Sequence, residues 1–400
     1  MFFIGAKLFL AGALLGLSAA AHPLETEGES CEAPHRAKAV YFLTNEDLNS
    51  VVSIPINLDG TLSGGLTTPT GGNGSSTVNA TGGPNGPDAL GSQSALTVLE
   101  NLLFAVNPGS NTLSMMKISE ADPTVLTLLG EPAPLPGQFP VTVAASNKNS
   151  LVCVGTTGAI AGISCASYTS QGLGEMSPLI SFNLNQTSPP SGPLNGVAQT
   201  FFSEDETRLF TTVKGDPASN NTGFVSVLPI ENFYVYSGAH DIRSSPNGTA
   251  VLFGSTVIPG TSTIFSADPS FGAAILQLNP FTDEVSLVSK QIIAGQQATC
   301  WAAYSKERQS VFVTDGAVNR LVELSAVDTQ IVSIVKLTNG DPGLIDLKVS
   351  GRYIYALSPG NGTNPAAVTV VDSFIGRQIQ HFLVDGLGAS KSSQGMALLE

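Results

Sequence analysis

The chain has 400 residues, and its 17 lysines and arginines against 31 aspartates and glutamates give a formal net charge of −14. Only 12% of the residues are charged, about half of the usual fraction. An acidic chain without a basic run offers no electrostatic surface for nucleic acid. The 42% of hydrophobic residues exclude an intrinsically disordered protein. Abundant glycine and proline with few strong helix formers favour an all-β fold.

The first 21 residues have the pattern of a secretory signal peptide. A short start containing Lys7 is followed by the apolar stretch Leu8–Leu17 and by the small residues Ala19–Ala21. This stretch is well short of the ~20 residues that a membrane-spanning helix needs. We therefore expect a protein without a membrane span that is secreted to the extracellular space or the cell wall. Residues 22–38 would form a leader segment. We also expect the protein to be a monomer.

Secretion makes disulfides the expected state of the four cysteines. Cys153 and Cys165 lie symmetrically about Ala159, so in a β-hairpin they would face each other across two strands at a distance that a disulfide can bridge. This predicts a Cys153–Cys165 disulfide and, by elimination, a Cys31–Cys300 disulfide. The alternative is four free thiols.

Six N-glycosylation sequons agree with export. They lie in stretches rich in Gly, Ser, Thr and Pro that are typical of exposed loops. The predicted acceptors are Asn73, Asn79, Asn185, Asn220, Asn247 and Asn361.

A repeat of two short β runs separated by an Asn-, Gly- or Ser-containing turn extends through residues 39–400. Seven such units recur with a mean period of roughly 52 residues, slightly more than a four-stranded propeller blade takes. They begin at Ala39, Leu102, Leu151, Arg208, Ala250, Ser310 and Tyr353. The pattern predicts an all-β, seven-bladed β-propeller, and the alternative is a pair of β-sandwich domains.

A further β run precedes each unit except the first and would form the inner strand of its blade. The C-terminal segment SQGMALLE supplies the missing run. We therefore expect the N- and C-terminal strands to share one blade, which closes the ring without a free sheet edge. Residues 64–87, rich in Gly, Ser and Thr, are predicted to form a flexible loop between the first two blades.

The sequence contains no common hydrolase, metalloprotease or nucleotide-binding motif. It predicts neither a metal site nor a cofactor, because its four histidines are scattered and its cysteines are expected to be oxidised. His240 is the strongest single candidate, since it falls on a predicted inner strand with Asp241 and Arg243. Histidine can transfer protons and arginine can hold a carboxylate, but a hydrogen-bonded histidine beside a surface ion pair is the simpler interpretation.

The runs LLFAVNPGSNTLSMMKI and AHDIRSSPNGTAVLF resemble repeats of the lactonase-like seven-bladed propellers. That family includes 6-phosphogluconolactonase-type enzymes and the fungal 3-carboxymuconate cyclase. The sequons and signal peptide resemble those of fungal extracellular glycoproteins that carry the cyclase name and are known as surface antigens or adhesins. The resemblance implies a catalytic histidine at His240. This chain departs from the family at Ala239, where the enzymes typically have arginine, and at Gly254–Thr256, where they tend to have an acidic residue.

Two classes of function follow. The first is a non-catalytic glycoprotein that binds an extracellular protein, a carbohydrate or a small molecule. The second is a lactonising enzyme or lactonase in which His240 and Arg243 act. The ligand-binding residues would then be polar residues of the predicted inner strands: Gln93, Gln199, Asp241, Gln296 and Asp346.

Overall fold

A computed structural model of the protein describes residues 36–230 and 240–400. In this part of the chain the strands form seven antiparallel sheets, each with at least four strands. The predicted all-β, seven-bladed β-propeller is confirmed. No helix within the described ranges is long and apolar enough to cross a membrane. The predicted signal peptide and most of the predicted leader lie outside the described residues.

The strands follow the blades in chain order. Blade 1 contains β1 (Ala39–Leu43), β2 (Ser50–Pro55) and β3 (Leu66–Pro69); blade 2 contains β4 (Leu96–Leu99), β5 (Leu102–Asn107), β6 (Thr112–Ile118), β7 (Leu126–Leu128) and β8 (Ala133–Pro134). Blade 3 contains β9 (Pro140–Ser146), β10 (Leu151–Thr156), β11 (Ala161–Thr169), β12 (Gly172–Leu173) and β13 (Ile180–Phe182); blade 4 contains β14 (Val197–Phe202), β15 (Arg208–Val213), β16 (Phe224–Pro229) and β17 (Ile242–Ser244).

The remaining blades have four strands each. Blade 5 contains β18 (Ser255–Val257), β19 (Thr263–Asp268), β20 (Gly272–Leu278) and β21 (Val285–Ile292), and blade 6 contains β22 (Thr299–Ser305), β23 (Ser310–Asp315), β24 (Val318–Ser325) and β25 (Ile331–Lys336). Blade 7 contains β26 (Ile345–Ser350), β27 (Tyr353–Ser358), β28 (Ala367–Asp372) and β29 (Arg377–Leu383), and β30 (Gln394–Leu399) completes blade 1. Short 3-10 helices span Pro217–Ser219 and Asp385–Leu387.

The predicted ring closure is confirmed in blade 1. β30 is its inner strand and pairs antiparallel with β1, with Ala39 opposite Leu399 and Tyr41 opposite Ala397. The last strand of the chain therefore covers an edge that β1 would otherwise expose, and an exposed edge is a site for aggregation.

One aromatic position repeats along the second strands and explains much of the packing between blades. The third residue of the second strand is a buried aromatic in six blades: Tyr41, Phe104, Phe210, Phe265, Phe312 and Tyr355. The hydroxyl of Tyr41 donates to the carbonyl of Pro123 in blade 2 at 2.6 Å, and that of Tyr355 donates to Gly60 in blade 1 at 3.0 Å. The two tyrosine side chains therefore face the next blade.

In blade 3 the same position holds Cys153, and the predicted Cys153–Cys165 disulfide is confirmed. The two residues face each other between β10 and β11 with their Cα atoms 4.0 Å apart. In this blade, the disulfide occupies the position at which each of the other six blades has a buried aromatic side chain. Cys300 is buried in β22, whereas Cys31 lies outside the described residues, so the second disulfide stays a prediction.

The predicted inner strand of blade 5 is wrong. The segment with Asp241 and Arg243 contains β17, which pairs with β16 and is the outer strand of blade 4. The inner strand of blade 5 is β18, inside the run that the sequence predicts as a second strand. Inner and outer strands are both short and end in polar turns, so the alternation of residues does not distinguish them.

The segment predicted as a flexible loop, residues 64–87, begins with the outer strand β3. Beyond β3, backbone hydrogen bonds hold it along blades 1 and 2. The amide of Gly74 donates to Glu46 at 2.8 Å, and that of Gly109 donates to Asn73 at 2.9 Å. The segment is therefore packed against the propeller over this part of its length.

We predict that deletion of residues 394–400 abolishes cooperative folding, because blade 1 loses its inner strand and with it the fully buried side chains of Gln394 and Met396. The near-UV circular dichroism and the thermal transition measure this. Deletion of Glu400 alone, which lies beyond β30, is the control. A truncated protein that melts like the full chain would contradict the ring closure.

Candidate functional site

The alternation of strand direction gives the propeller two distinct faces. Each inner strand begins at one face, which we call the plug face, and ends at the other, which we call the cavity face. Connections from second to third strands, and from outer strands to the next blade, lie on the plug face. The hairpins from inner to second strands, and from third to outer strands, lie on the cavity face.

The segment Asp88–Ala95, which we call the plug, crosses the channel where the inner strands begin. Ser92 donates from Oγ to the carbonyl of Val141 in blade 3 at 2.7 Å, and its own carbonyl accepts from the indole of Trp301 in blade 6 at 3.0 Å. The amide of Gln93 donates to Ala198 in blade 4 at 2.9 Å. The plug therefore joins blades on opposite sides of the ring and closes the channel.

The side chain of Gln93 pairs with the backbone of an inner strand. Its Nε2 donates to the carbonyl of Ala302 at 2.8 Å, and its Oε1 accepts from the amide of Ala302 at 3.0 Å. A Cβ atom at Gly254 in blade 5 would lie 2.0 Å from this Oε1. Only glycine fits there, because the amide occupies the space that a larger residue would need.

Gln199 and Asp346, two other predicted ligand-binding residues, also meet the plug. Gln199 accepts from the amide of Ser255 and lies 3.5 Å from Ser94 Oγ. Asp346 accepts from the amides of Ser94 at 3.3 Å and of Leu347 at 2.8 Å. Burial raises the pKa of this carboxyl. Both side chains thus contact the plug through protein atoms, and Gln199 also lines the cavity described below.

Two ionisable groups lie on the plug face: Asp88, which begins the plug and is half-buried, and Lys214, which is buried beside the plug. The ammonium of Lys214 donates to the carbonyl of Gly91 and lies 5.0 Å from the centre of the Phe253 ring. Asp88 accepts from the amide of Gly91 at 3.0 Å and from Nε2 of Gln394 at 3.2 Å. Burial lowers the pKa of Lys214 to about 8 and raises the pKa of Asp88 to about 6.

On the other side of the plug, the inner strands enclose a cavity of about 310 Å³, which we call the channel cavity. The plug forms its floor with Gln93 and Ser94. Its walls carry Tyr304, Thr256 and Lys348, and among the described residues that line it Lys348 carries the only charge. Hydroxyl, amide and aromatic groups around a single cation suit a small, uncharged, polar molecule.

Two neighbouring hollows open beside the channel cavity. A recess of about 260 Å³ shares Ser94, Phe201 and Phe202 with it. A pocket of about 370 Å³ lies between blades 4 and 5 and shares Glu204 with the recess. One oxygen of Glu204 accepts from the amide of Gly260 at 2.7 Å. The recess joins the channel cavity to the hairpin between β14 and β15.

The remaining predicted site residues lie elsewhere. His240 is exposed at the start of the segment that contains β17, away from the inner strands. Arg243 pairs with Asp241 at 2.8 Å and stacks 4.8 Å from the centre of the Phe182 ring. Gln296 lies in the connection before β22, where its Nε2 donates to Pro269 at 2.6 Å. The structure therefore places these residues outside the channel cavity.

Three residues of the site were not identified from the sequence. Gln394 begins an inner strand as a buried glutamine, the same signal that identified Gln93 and Gln199. Lys214 directly follows β15 and Lys348 lies within β26, and a single lysine in or beside a strand commonly faces solvent. Within residues 36–230 and 240–400, no group of three or more His, Cys, Asp or Glu side chains is arranged to hold a metal ion.

Comparison with solved structures shows the same fold in bacterial proteins. The periplasmic gluconolactonase of Pseudomonas aeruginosa is 13% identical, with a TM-score of 0.62 over 90% of this chain and 99% of that chain. A putative 6-phosphogluconolactonase from Bacteroides fragilis is 10% identical, with a TM-score of 0.59 over 91% and 98%. A Lactobacillus plantarum protein is 14% identical, with a TM-score of 0.58 over 91% and 100%. No family model and no curated protein matches the sequence.

We predict that Gln93→Ala lowers the free energy of unfolding by about 3 kcal/mol, because the buried amide and carbonyl of Ala302 lose their partners. Urea titration measures the change. Gln296→Ala is the matched control, since Gln296 also binds two backbone groups but is only partly buried, and we expect a smaller loss. Equal losses in the two variants would contradict the importance of the plug.

We predict that Lys214 makes the protein more stable as the pH rises from about 8 to about 10.5. The folded state loses the lysine proton more easily than the unfolded state, so the cost of burying the charge disappears in this window. The gain is about 2–3 kcal/mol. Asp88 and Cys300 are the titratable groups that act on Lys214.

Urea titrations of the wild type and Lys214→Met across this window isolate the effect, because other groups titrate in both proteins. The wild type should gain stability relative to the variant. Parallel pH curves would show that Lys214 keeps its ordinary pKa.

Proposed function

We propose that the protein is a lactonase-like β-propeller that binds a small, neutral, polyhydroxylated lactone in the channel cavity and hydrolyses it. The observation that carries this proposal is the composition of the cavity, whose described lining combines hydroxyl and amide groups with one charged side chain, Lys348. The likeness in fold between the whole chain and a gluconolactonase supports the proposal that it hydrolyses a lactone.

In lactone hydrolysis, water adds to the carbonyl carbon and the ring C–O bond breaks, which yields a hydroxy acid. Negative charge develops on the carbonyl oxygen in the transition state. An ammonium group held in a partly enclosed cavity stabilises that charge more than it stabilises the neutral substrate. We assign this role to Lys348, whose strand β26 is attached to the plug by Asp346.

The same cavity disfavours a phosphorylated or polycarboxylate substrate. Several cations are normally needed to bind such an anion, and Lys348 is the only one among the described lining residues. The formal net charge of −14 further disfavours the approach of an anion. A neutral sugar lactone carries neither penalty.

A second candidate is a secreted glycoprotein that binds a carbohydrate or a similar ligand without turnover. The predicted signal peptide and the six sequons favour it. The two candidates share the channel cavity and differ only in whether the bound molecule reacts. Turnover therefore distinguishes them.

We predict that Lys348→Met lowers kcat/KM for δ-gluconolactone by about 10²-fold, because the transition state loses its charge partner. Proton release in weak buffer, corrected for spontaneous hydrolysis, measures the rate. His240→Ala and Arg243→Ala are the controls, and we expect both to keep wild-type activity because they lie at the outer edge of blade 4.

If the His240 or Arg243 variant lost activity and Lys348→Met stayed active, the result would show that the reaction takes place at blade 4 and not in the channel cavity. A wild type that binds gluconolactone in calorimetry without hydrolysing it would support the second candidate.

A further inference from the structure

All six sequons lie on the same face of the propeller. The connection 70–95 contains Asn73 and Asn79, and the connection between β15 and β16 contains Asn220. The segments that follow β13 and β17 contain Asn185 and Asn247, and the connection between β27 and β28 contains Asn361. Every one of these segments lies on the plug face. Asn79 is half-buried, whereas the other five asparagines are exposed.

The sequon-bearing connections also contain few charges. Asp88, Lys214 and Asp216 are the charged residues in them, and Lys214 is buried. The hairpins of the cavity face differ: the turn between β14 and β15 alone contains Glu204, Asp205 and Glu206. The sequon-bearing connections therefore contain few of the charged groups that usually keep a protein surface hydrated and soluble.

We propose that N-glycans cover the plug face and leave the cavity face free, so that ligand enters the channel from the unglycosylated side. This inference rests on the proposed secretion and on the proposed use of the channel cavity. The plug separates the two faces, so a ligand that approached through the glycans would meet a closed channel. The sugars supply hydration where charged residues are scarce.

The first test maps the glycans and does not depend on activity. The full chain is secreted from a eukaryotic host, and its glycans are released enzymatically in H₂¹⁸O, which converts each occupied Asn to ¹⁸O-labelled Asp. Peptide mass spectrometry should find the label at the exposed sequon asparagines. Hydroxyl-radical footprinting before and after release should show protection in plug-face connections and none at exposed cavity-face residues such as Phe281, which is 95% exposed.

The second test places a glycan at the cavity. The substitution Asp205→Asn, followed in the chain by Glu206 and Thr207, completes an N-x-T sequon in the hairpin beside the recess. We expect the glycosylated variant to lose gluconolactone turnover by at least tenfold. Enzymatic release regenerates aspartate at position 205 and should restore turnover. Wild-type protein treated in the same way is the matched control, and its turnover should stay unchanged.

The outcomes separate this inference from the proposed function. Unoccupied sequons, or footprint protection on the cavity face of the wild type, would overturn the inference whatever the activity. So would full turnover in a variant whose glycan at position 205 is confirmed by mass. A wild type with mapped plug-face glycans but no lactone turnover would contradict the lactonase proposal and leave the arrangement of the glycans standing.

Discussion

The hydrogen bonds between the plug and the inner strands are the contacts on which the rest of the molecule depends. A peptide segment that crosses a channel brings polar backbone groups into the centre of the fold, and buried groups of this kind must be paired. Ser92, Gln93 and Ser94 pair them with blades 1, 3, 4, 6 and 7. One short segment of blade 2 thereby links strands that are far apart in the ring.

The plug also determines the geometry of the candidate site. Its cavity side supplies the floor, and its contact with Asp346 holds β26, in which Lys348 follows two residues later. The lysine is consequently attached to the same hydrogen-bonded centre as the floor beneath it. Preorganisation of this kind is what allows a single charged group to stabilise a developing charge, since little reorganisation is needed during the reaction.

The sequence predicted the features that repetition or symmetry makes visible. The seven units, the sharing of blade 1 by both ends of the chain and the Cys153–Cys165 pairing all follow from spacing. The position of β17 did not, because an outer strand and an inner strand have the same local pattern. Gln93 was predicted as a ligand-binding residue, but its bond to Ala302 joins residues 209 positions apart, and no local pattern encodes such a contact.

The plug explains why the cavity opens on one side only. A tight hairpin joins β4 to β5 and another joins β26 to β27, so the mouth of the channel is bordered by short turns. The connection 70–95 is much longer than the other blade-to-blade connections, such as residues 293–298, and its last part forms the plug. The proposed glycans would extend a surface that the plug already closes, and a ligand would then enter at the opposite mouth, which short hairpins border.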